Sequence, residues 1–219
     1  MKEFLDVLRN DHSDFDQGKL DDRLKSIDPM KLLKKWYQEA FENQCVSPNS
    51  MIISTVGKDL MPSSRVVYLK ELMEEGLVFY TNYESKKAID LEDNPQISAL
   101  FYWDGLSRQI RVQGVVEKVP EFMSDDYFAS RPRPSKIGAW ASRQSNEITD
   151  RKELDEEYEK IEKQFVNQEV PRPSFWGGYL IRPLYIEFWQ GRPSRLHDRI
   201  CFEKENLGST EWKVTRRNP

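Results

Sequence analysis

The chain is poor in the residues that build metal and thiol chemistry. Of its 219 residues only two are cysteine and two are histidine. Cys45 and Cys201 stand far apart in no ligand spacing, and no His/Cys cluster occurs, which argues against a bound catalytic or structural metal. Two thiols and no recognisable export signal lead us to expect a reducing, cytoplasmic setting. No apolar run approaches the roughly 20 residues of a membrane-spanning helix. The opening "MKEFLDVLRNDHSDF" lacks the apolar centre of a secretory signal and is too acidic for a transit peptide. Glycine-rich phosphate loops of the Walker or Rossmann type are missing. Positive charge is also in deficit: 33 Lys and Arg against 37 Asp and Glu give a net charge of -4. That balance argues against a general nucleic-acid binder.

What the chain does have is a succession of short segments rich in β-branched and aromatic residues. "SMIISTVG", "SSRVVYLKEL", "LVFYTNY", "ISALFYW" and "RQIRVQGVVEKV" read as strands. The late "GGYLIRPLYIEFW", "RLHDRICFE" and "EWKVTRR" add more. "DGLS" between two of them is a hairpin signal. Short connections favour antiparallel pairing. Asp28-Pro29 is a helix start, an N-cap acid before Pro at the first helical position. The helix that follows sets Leu33, Trp36, Tyr37, Ala40 and Phe41 on one apolar stripe. "SKKAIDLEDN", "PEFMSDDYFAS" and "DRKELDEEYEKIEKQF" are further helices. The last carries a narrow stripe of Leu154, Tyr158, Ile161 and Phe165 and is expected on the surface. Residues 1–27 are expected to be a flexible arm, and 28–219 a single domain. The pattern suggests a closed antiparallel barrel with peripheral helices.

Cations gather at particular places in this acidic chain. In "NYESKKAIDLEDNP", Ser85 is a good N-cap, and Lys86 and Lys87 fall in the first helical turn. Cations there oppose the helix dipole, yet with the free N–H groups they make a natural phosphate site. "SSRVVYLK" carries Arg65 and Lys70, which fall on opposite faces of a regular strand. "RQIRVQG" puts Gln109, Arg111 and Gln113 on one face. "DDYFASRPRPSK" sets Tyr127, Arg131 and Ser135 at steps of four, a set able to cup a phosphate. Pro132 and Pro134 are expected to break the helix there. In "EFWQGRPSRLHDRI", a strand resuming after the Gly191–Ser194 turn places Arg195, His197 and Arg199 on one face. Cations so close are tolerated more easily around an anion, and Arg forks suit phosphate. A solvated edge strand guarded by Arg is the alternative.

Together, "FYTNYESKKA", "SRPRPSKIGAWASRQS", "SFWGG" and "EFWQGRPSRLHDR", in that order, resemble the pyridoxamine/pyridoxine 5′-phosphate oxidase family. The likeness runs from about Asp28 to the C-terminus. It implies an FMN-binding split β-barrel, mainly β with peripheral α-helices, and a homodimer with a C-terminal dimerisation region and FMN in clefts between subunits. It implies oxidation of pyridoxine or pyridoxamine 5′-phosphate to pyridoxal 5′-phosphate, with dioxygen reduced to hydrogen peroxide. By the resemblance, FMN contacts come from Arg65, Val66, Val67, Tyr68, Leu69 and Lys70. They continue with Tyr80, Thr81, Lys86, Lys87, Gln109, Gln144, Ser145, Trp189 and Arg199. Substrate contacts come from Lys70, Tyr127, Arg131, Ser135, Arg195, Leu196 and His197, with Arg195 and His197 nearest the reacting carbon. Flavin supplies the redox step, and the protein supplies orientation and charge.

Three departures stand out. Counting back from Asp28-Pro29, His12 and Phe15 stand where the family often has an Arg-x-x-Tyr lid. Lys86 stands where Arg or Gln is usual. The end is "RRNP" where "RLAP" is common, so Arg217 replaces an apolar residue expected to pack. The rival readings are another flavin enzyme on the same barrel and a protein that binds FMN or pyridoxal phosphate without turnover.

Overall fold

The computed structural model describes residues 14–219, and the expected His12 lies outside them. The described chain divides into two compact units. One holds Asn49–Leu100 and Val112–Leu184; the other holds residues 14–48, Phe101–Arg111 and Tyr185–Pro219.

The first unit is built on antiparallel strands. β1 (Ser50–Val56) turns back into β2 (Pro62–Tyr68), with Ile52 opposite Val66 and Ile53 opposite Arg65. β1 alternates as its sequence dictates: Met51, Ile53 and Thr55 are buried, and Ile52 is exposed. After β3 (Glu71–Leu72), β4 (Leu77–Asn82) pairs with β7 (Trp176–Gln190), Tyr80 opposite Gly178 and Asn82 opposite Trp176. β5 (Gln96–Trp103) and β6 (Arg108–Lys118) complete an order β2-β1-β5-β6-β7-β4-β3. The expected closed barrel is corrected here: this hydrogen-bonded path is open, with β2 and β3 at its ends. Gly114 is required by close approach, since a Cβ there would lie 2.1 Å from the Arg182 carbonyl oxygen.

Helices pack beside the strands. α2 (Lys86–Asp93) follows β4. α3 (Glu121–Ser130) ends near Pro132 as expected, but a further helix, α4 (Arg133–Ala141), starts at once. Pro134 lies in its first turn, where no intrahelical N–H is needed, so the residue that reads as a breaker is tolerated. α5 (Arg151–Gln164) lies on the surface and packs its stripe into a cluster of Ile137, Ala141, Ile161, Phe165 and Val170.

In the second unit, α1 (Pro29–Glu42) is capped by Asp28, whose carboxylate accepts from the Met30 and Lys31 N–H groups. Leu32, Leu33, Trp36 and Ala40 are buried, and Tyr37 is half-buried. Phe41 is 69% exposed, a correction to the expected stripe. The buried arc centres on 32/33, 36 and 40, and Phe41 falls one step beyond it. Trp36 meets Phe188 edge-on at 5.1 Å. The C-terminal half of β7 pairs with β8 (Asp198–Glu203), and β8 pairs with β9 (Lys213–Arg217). The later part of the expected arm is tied down: the Leu20 N–H donates to Asp198, and Arg216 donates to Asp22 and the Leu20 carbonyl.

Candidate functional site

The first unit contains a cavity of about 1050 Å³, at the upper end of the roughly 300–1,000 Å³ of ligand pockets. Arg65, Lys70, Lys86, Lys87 and Arg131 line it, and no carboxylate does. In a chain of net charge -4, this is a marked local excess of positive charge.

Local sequence explains each position. Arg65 on β2 and Lys70 both reach the cavity, although strict alternation would part them. β2 ends at Tyr68, so the parity rule lapses before Lys70. Leu69 at that break turns inward and is buried. Val66, Val67 and Tyr68 line the cavity beside Arg65. The Arg65 guanidinium donates to Thr55 Oγ1 and Ser63 Oγ, each at 2.8 Å.

At the end of β4, Tyr80 and Thr81 line the same space, and α2 presents its two lysines there. Ser85 takes the N-cap position, but its hydroxyl does not cap the helix. It donates to the Asn82 carbonyl and accepts from Lys87 Nζ. Lys86 pairs with Asp90 at 2.5 Å, and Asp90 also accepts from Thr55. Lys87 is buried, and its ammonium donates to Thr81 Oγ1, Ser85 Oγ and Gln144 Oε1 at 2.8–3.0 Å. All three acceptors are uncharged. Burial, with Arg65 nearby, pulls the Lys87 pKa down to about 8. Gln144 and Ser145 border this end of the cavity.

The opposite cationic group is aromatic-walled. Tyr127 on α3 stacks on Tyr80 with centroids 4.1 Å apart, and both rings lie parallel to Trp176. Arg131, just past the end of α3, lies over Trp176 at 4.6 Å and beside Phe128. Its Nη1 is buried without a hydrogen-bond partner among the described residues. Ser135 on α4 and Lys70 complete the group. Trp176 carries this arrangement and was not singled out from sequence; the "SFWGG" block was the available signal.

The second unit carries the remaining candidates. Gln109 is half-buried on β6, and Leu196 is 70% exposed. The expected strand through Arg195, His197 and Arg199 is corrected. β8 begins only at Asp198, and Pro193–Arg195 is a tight turn with Ser194 and Arg195 at φ 57° and 59°. Of the three, only Arg199 lies in the strand, opposite Trp189. It is not an unpaired cation: Glu187 accepts from its Nε and Nη2. His197 Nδ1 accepts the Arg192 N–H at 3.1 Å, which places the proton of the neutral ring on Nε2. Burial and the Arg195 charge lower its pKa. Phe15 meets Trp189 and His197 edge-on at 5.7 and 5.4 Å. Asp14 accepts from the Ser194 N–H. The C-terminus is tied down by polar contacts. Arg217 pairs with Glu203, and the Asn218 carbonyl accepts from Arg199 at 2.8 Å.

Among the described residues no His, Cys, Asp and Glu cluster could hold a metal, and both cysteines are free. Among the described residues no helix is long and apolar enough to cross a membrane.

Comparison with known proteins bears on this site. A family model described as "Pyridoxamine 5'-phosphate oxidase" matches residues 37–165. A second, described as "Pyridoxine 5'-phosphate oxidase C-terminal dimerisation region", matches 176–219. The chain is 46% identical over 198 residues to the pyridoxine/pyridoxamine 5′-phosphate oxidase of Aliarcobacter butzleri, covering 90% of this chain and 92% of that one. It is 46% identical over 213 residues to the same enzyme of Christiangramia forsetii, covering 97% and 98%. Among solved structures, PhzG from Burkholderia lata, in complex with tetrahydrophenazine-1-carboxylic acid, superposes with a TM-score of 0.85. It is 28% identical and covers 94% of this chain and all of that one. A pyridoxamine 5′-phosphate oxidase-related, FMN-binding protein of Nostoc punctiforme shares the fold, with a TM-score of 0.67 at 14% identity over 89% of this chain and all of that one. The split-barrel fold expected from sequence is therefore the observed one, and the chain belongs to the pyridoxine/pyridoxamine 5′-phosphate oxidase family.

Proposed function

We propose that this protein oxidises pyridoxine or pyridoxamine 5′-phosphate to pyridoxal 5′-phosphate with FMN as cofactor, reducing dioxygen to hydrogen peroxide. We further propose that it works as a homodimer with FMN in clefts between subunits. One observation carries the reading: a single cavity lined by five cations and no carboxylate, with Lys87 facing only neutral oxygens and Arg131 Nη1 unpartnered. Buried cations without counter-charge are costly until an anion reaches them. Two such groups in one cavity suit two phosphorylated ligands.

The donor set fits FMN. Arg65, Lys86 and Lys87 surround the start of α2, where helix dipole and ammonium groups favour a phosphate. Val66, Val67, Tyr68, Leu69, Lys70, Tyr80 and Thr81 are assigned to the same cofactor. So are Gln109, Gln144, Ser145, Trp189 and Arg199. Bound here, FMN would supply the two-electron acceptor for a hydride from the substrate C4′ carbon and the route for both electrons to dioxygen. The residues of the chain bind and orient. Lys70, Tyr127, Arg131 and Ser135 hold the substrate phosphate, with the Arg131 guanidinium seated over Trp176. Arg195, Leu196 and His197 are assigned to the substrate as well. His197, whose pKa is lowered by burial and by Arg195, offers Nε2–H as a donor to it. For the amine substrate, water completes the reaction by releasing ammonia.

Peroxide formation with each substrate is the test. The purified, FMN-loaded protein should form one peroxide per pyridoxal 5′-phosphate. Flavin binding without peroxide would leave a binding protein, and turnover only with an unphosphorylated tricyclic substrate would move the assignment to another flavin enzyme of this fold.

A further inference from the structure

Glu187 is a buried carboxylate to which the proposed reaction gives no task. Its position follows from the sheet register. Across β7 and β8, Trp189 is opposite Arg199 and Glu187 is opposite Cys201. Residues two apart on a strand share a face, so Glu187 and Arg199 are diagonal neighbours, within reach of long side chains. Glu187 Oε1 accepts from Arg199 Nε at 3.1 Å, and Oε2 accepts from Nη2 at 2.9 Å. The contact is a two-pronged fork. Arg111 Nη1 stands 3.5 Å from Oε2, and the Tyr185 hydroxyl donates to the same oxygen. The third guanidinium nitrogen of Arg199 donates to the Asn218 carbonyl. Every nitrogen of Arg199 is thus held, and the plane of the group is fixed before a ligand arrives. Burial alone would raise the Glu187 pKa, but hydrogen bonds from Arg199 and Tyr185 outweigh it and keep the carboxylate ionised.

We propose that Glu187 is the positioning residue for Arg199, setting the orientation in which that guanidinium meets FMN. The proposal rests on the reading of Arg199 as a flavin-binding residue. An arginine ordered beforehand loses less side-chain freedom when its ligand binds. Glu187 also offsets part of the Arg199 charge, so position and charge act in opposite directions. Removing the carboxylate loosens the guanidinium but strengthens the local positive field.

The two effects separate in FMN titrations of the apoprotein followed by flavin fluorescence. Wild type, Glu187→Gln, Glu187→Asp, Arg199→Ala and the Gln/Ala double variant are compared. Positioning predicts that Glu187→Gln weakens FMN binding about tenfold, the scale of a lost charge-assisted hydrogen bond. Glu187→Asp, which keeps the charge but shortens the reach, should fall between. In the Arg199→Ala background, Glu187→Gln should cause no further loss. FMN binding that is unchanged or tighter in Glu187→Gln overturns the proposal, as does an equal loss with Arg199 absent. If Glu187→Gln does not fold, wild-type affinity in Glu187→Asp overturns it instead. If Arg199→Ala weakens FMN while Glu187→Gln does not, only this inference fails. If Arg199→Ala has no effect, the flavin role of Arg199 falls and the inference with it.

Discussion

Lys87 gives the sharpest quantitative consequence of the cavity. Its ammonium is buried against three neutral oxygens, with Arg65 as a charged neighbour. A pKa drawn from its ordinary 10.5 down to about 8 corresponds to about 3 kcal/mol of preference for the neutral amine. The sign follows from proton linkage. Between pH 8 and 10.5 the unfolded chain keeps a proton that the folded chain has lost, so folding stability rises with pH across that window. Below pH 8 the full penalty stands. Lys87→Met removes the charge and the three hydrogen bonds. The Ser85 hydroxyl still donates to Asn82, and the Thr81 hydroxyl still donates to Gln144. The lost hydrogen bonding offsets about 1 kcal/mol, so the flavin-free variant should be about 2 kcal/mol more stable than wild type at pH 7. The advantage should shrink as pH rises toward 10.5. The same variant should bind FMN more weakly, because the charge that destabilises the empty fold is the one that meets the phosphate. Denaturant unfolding of both apoproteins from pH 7 to 10 measures the difference. A Lys87→Met apoprotein less stable than wild type at pH 7, or a difference independent of pH, would refute the reasoning.

Three further outcomes follow from the same geometry. Arg131→Met keeps a side chain over Trp176 but removes the unpartnered Nη1. It should raise the substrate KM roughly tenfold or more with FMN affinity unaltered, as steady-state kinetics will show; an unchanged KM contradicts the phosphate role. Gly114→Ala drives a Cβ into the Arg182 carbonyl and should lower stability by about 1–3 kcal/mol, read as a fall in Tm. With His12→Gln leaving a single imidazole, NMR titration should place the His197 pKa below 6.5, because burial and Arg195 disfavour its cation. Its contribution to stability is then reduced as pH falls below 6.5; titration above 6.5 would contradict the packing around the ring.

Much of this architecture was legible in the chain. The strands announced themselves through β-branched and aromatic runs, and Asp28-Pro29 marked the start of α1. The cationic lining of the cavity could be assembled from three short segments, "SSRVVYLK", "NYESKKAIDLEDNP" and "DDYFASRPRPSK". What was hidden has physical causes. α4 was hidden because prolines that stop one helix also serve in the first turn of the next. The turn expected at Gly191–Ser194 runs on through Arg195, which takes a positive φ without being glycine, so the residues from Arg195 read as strand. Lys70 joined Arg65 because β2 ends one residue before the break, a boundary that alternation cannot reveal. Glu187 was not singled out from sequence. Its partner lies twelve positions on, and only the register of β7 and β8 brings them together.

The central claim is that this cavity binds FMN and brings it to reduction by a phosphorylated pyridoxine. The most direct measurement is the visible spectrum of the FMN-loaded protein, followed anaerobically as pyridoxine 5′-phosphate is added. The account predicts that the yellow flavin bands bleach with substrate and return on admitting air, with pyridoxal 5′-phosphate formed in equal amount. Flavin bands that persist through saturating substrate, in protein shown to bind it, would contradict the claim.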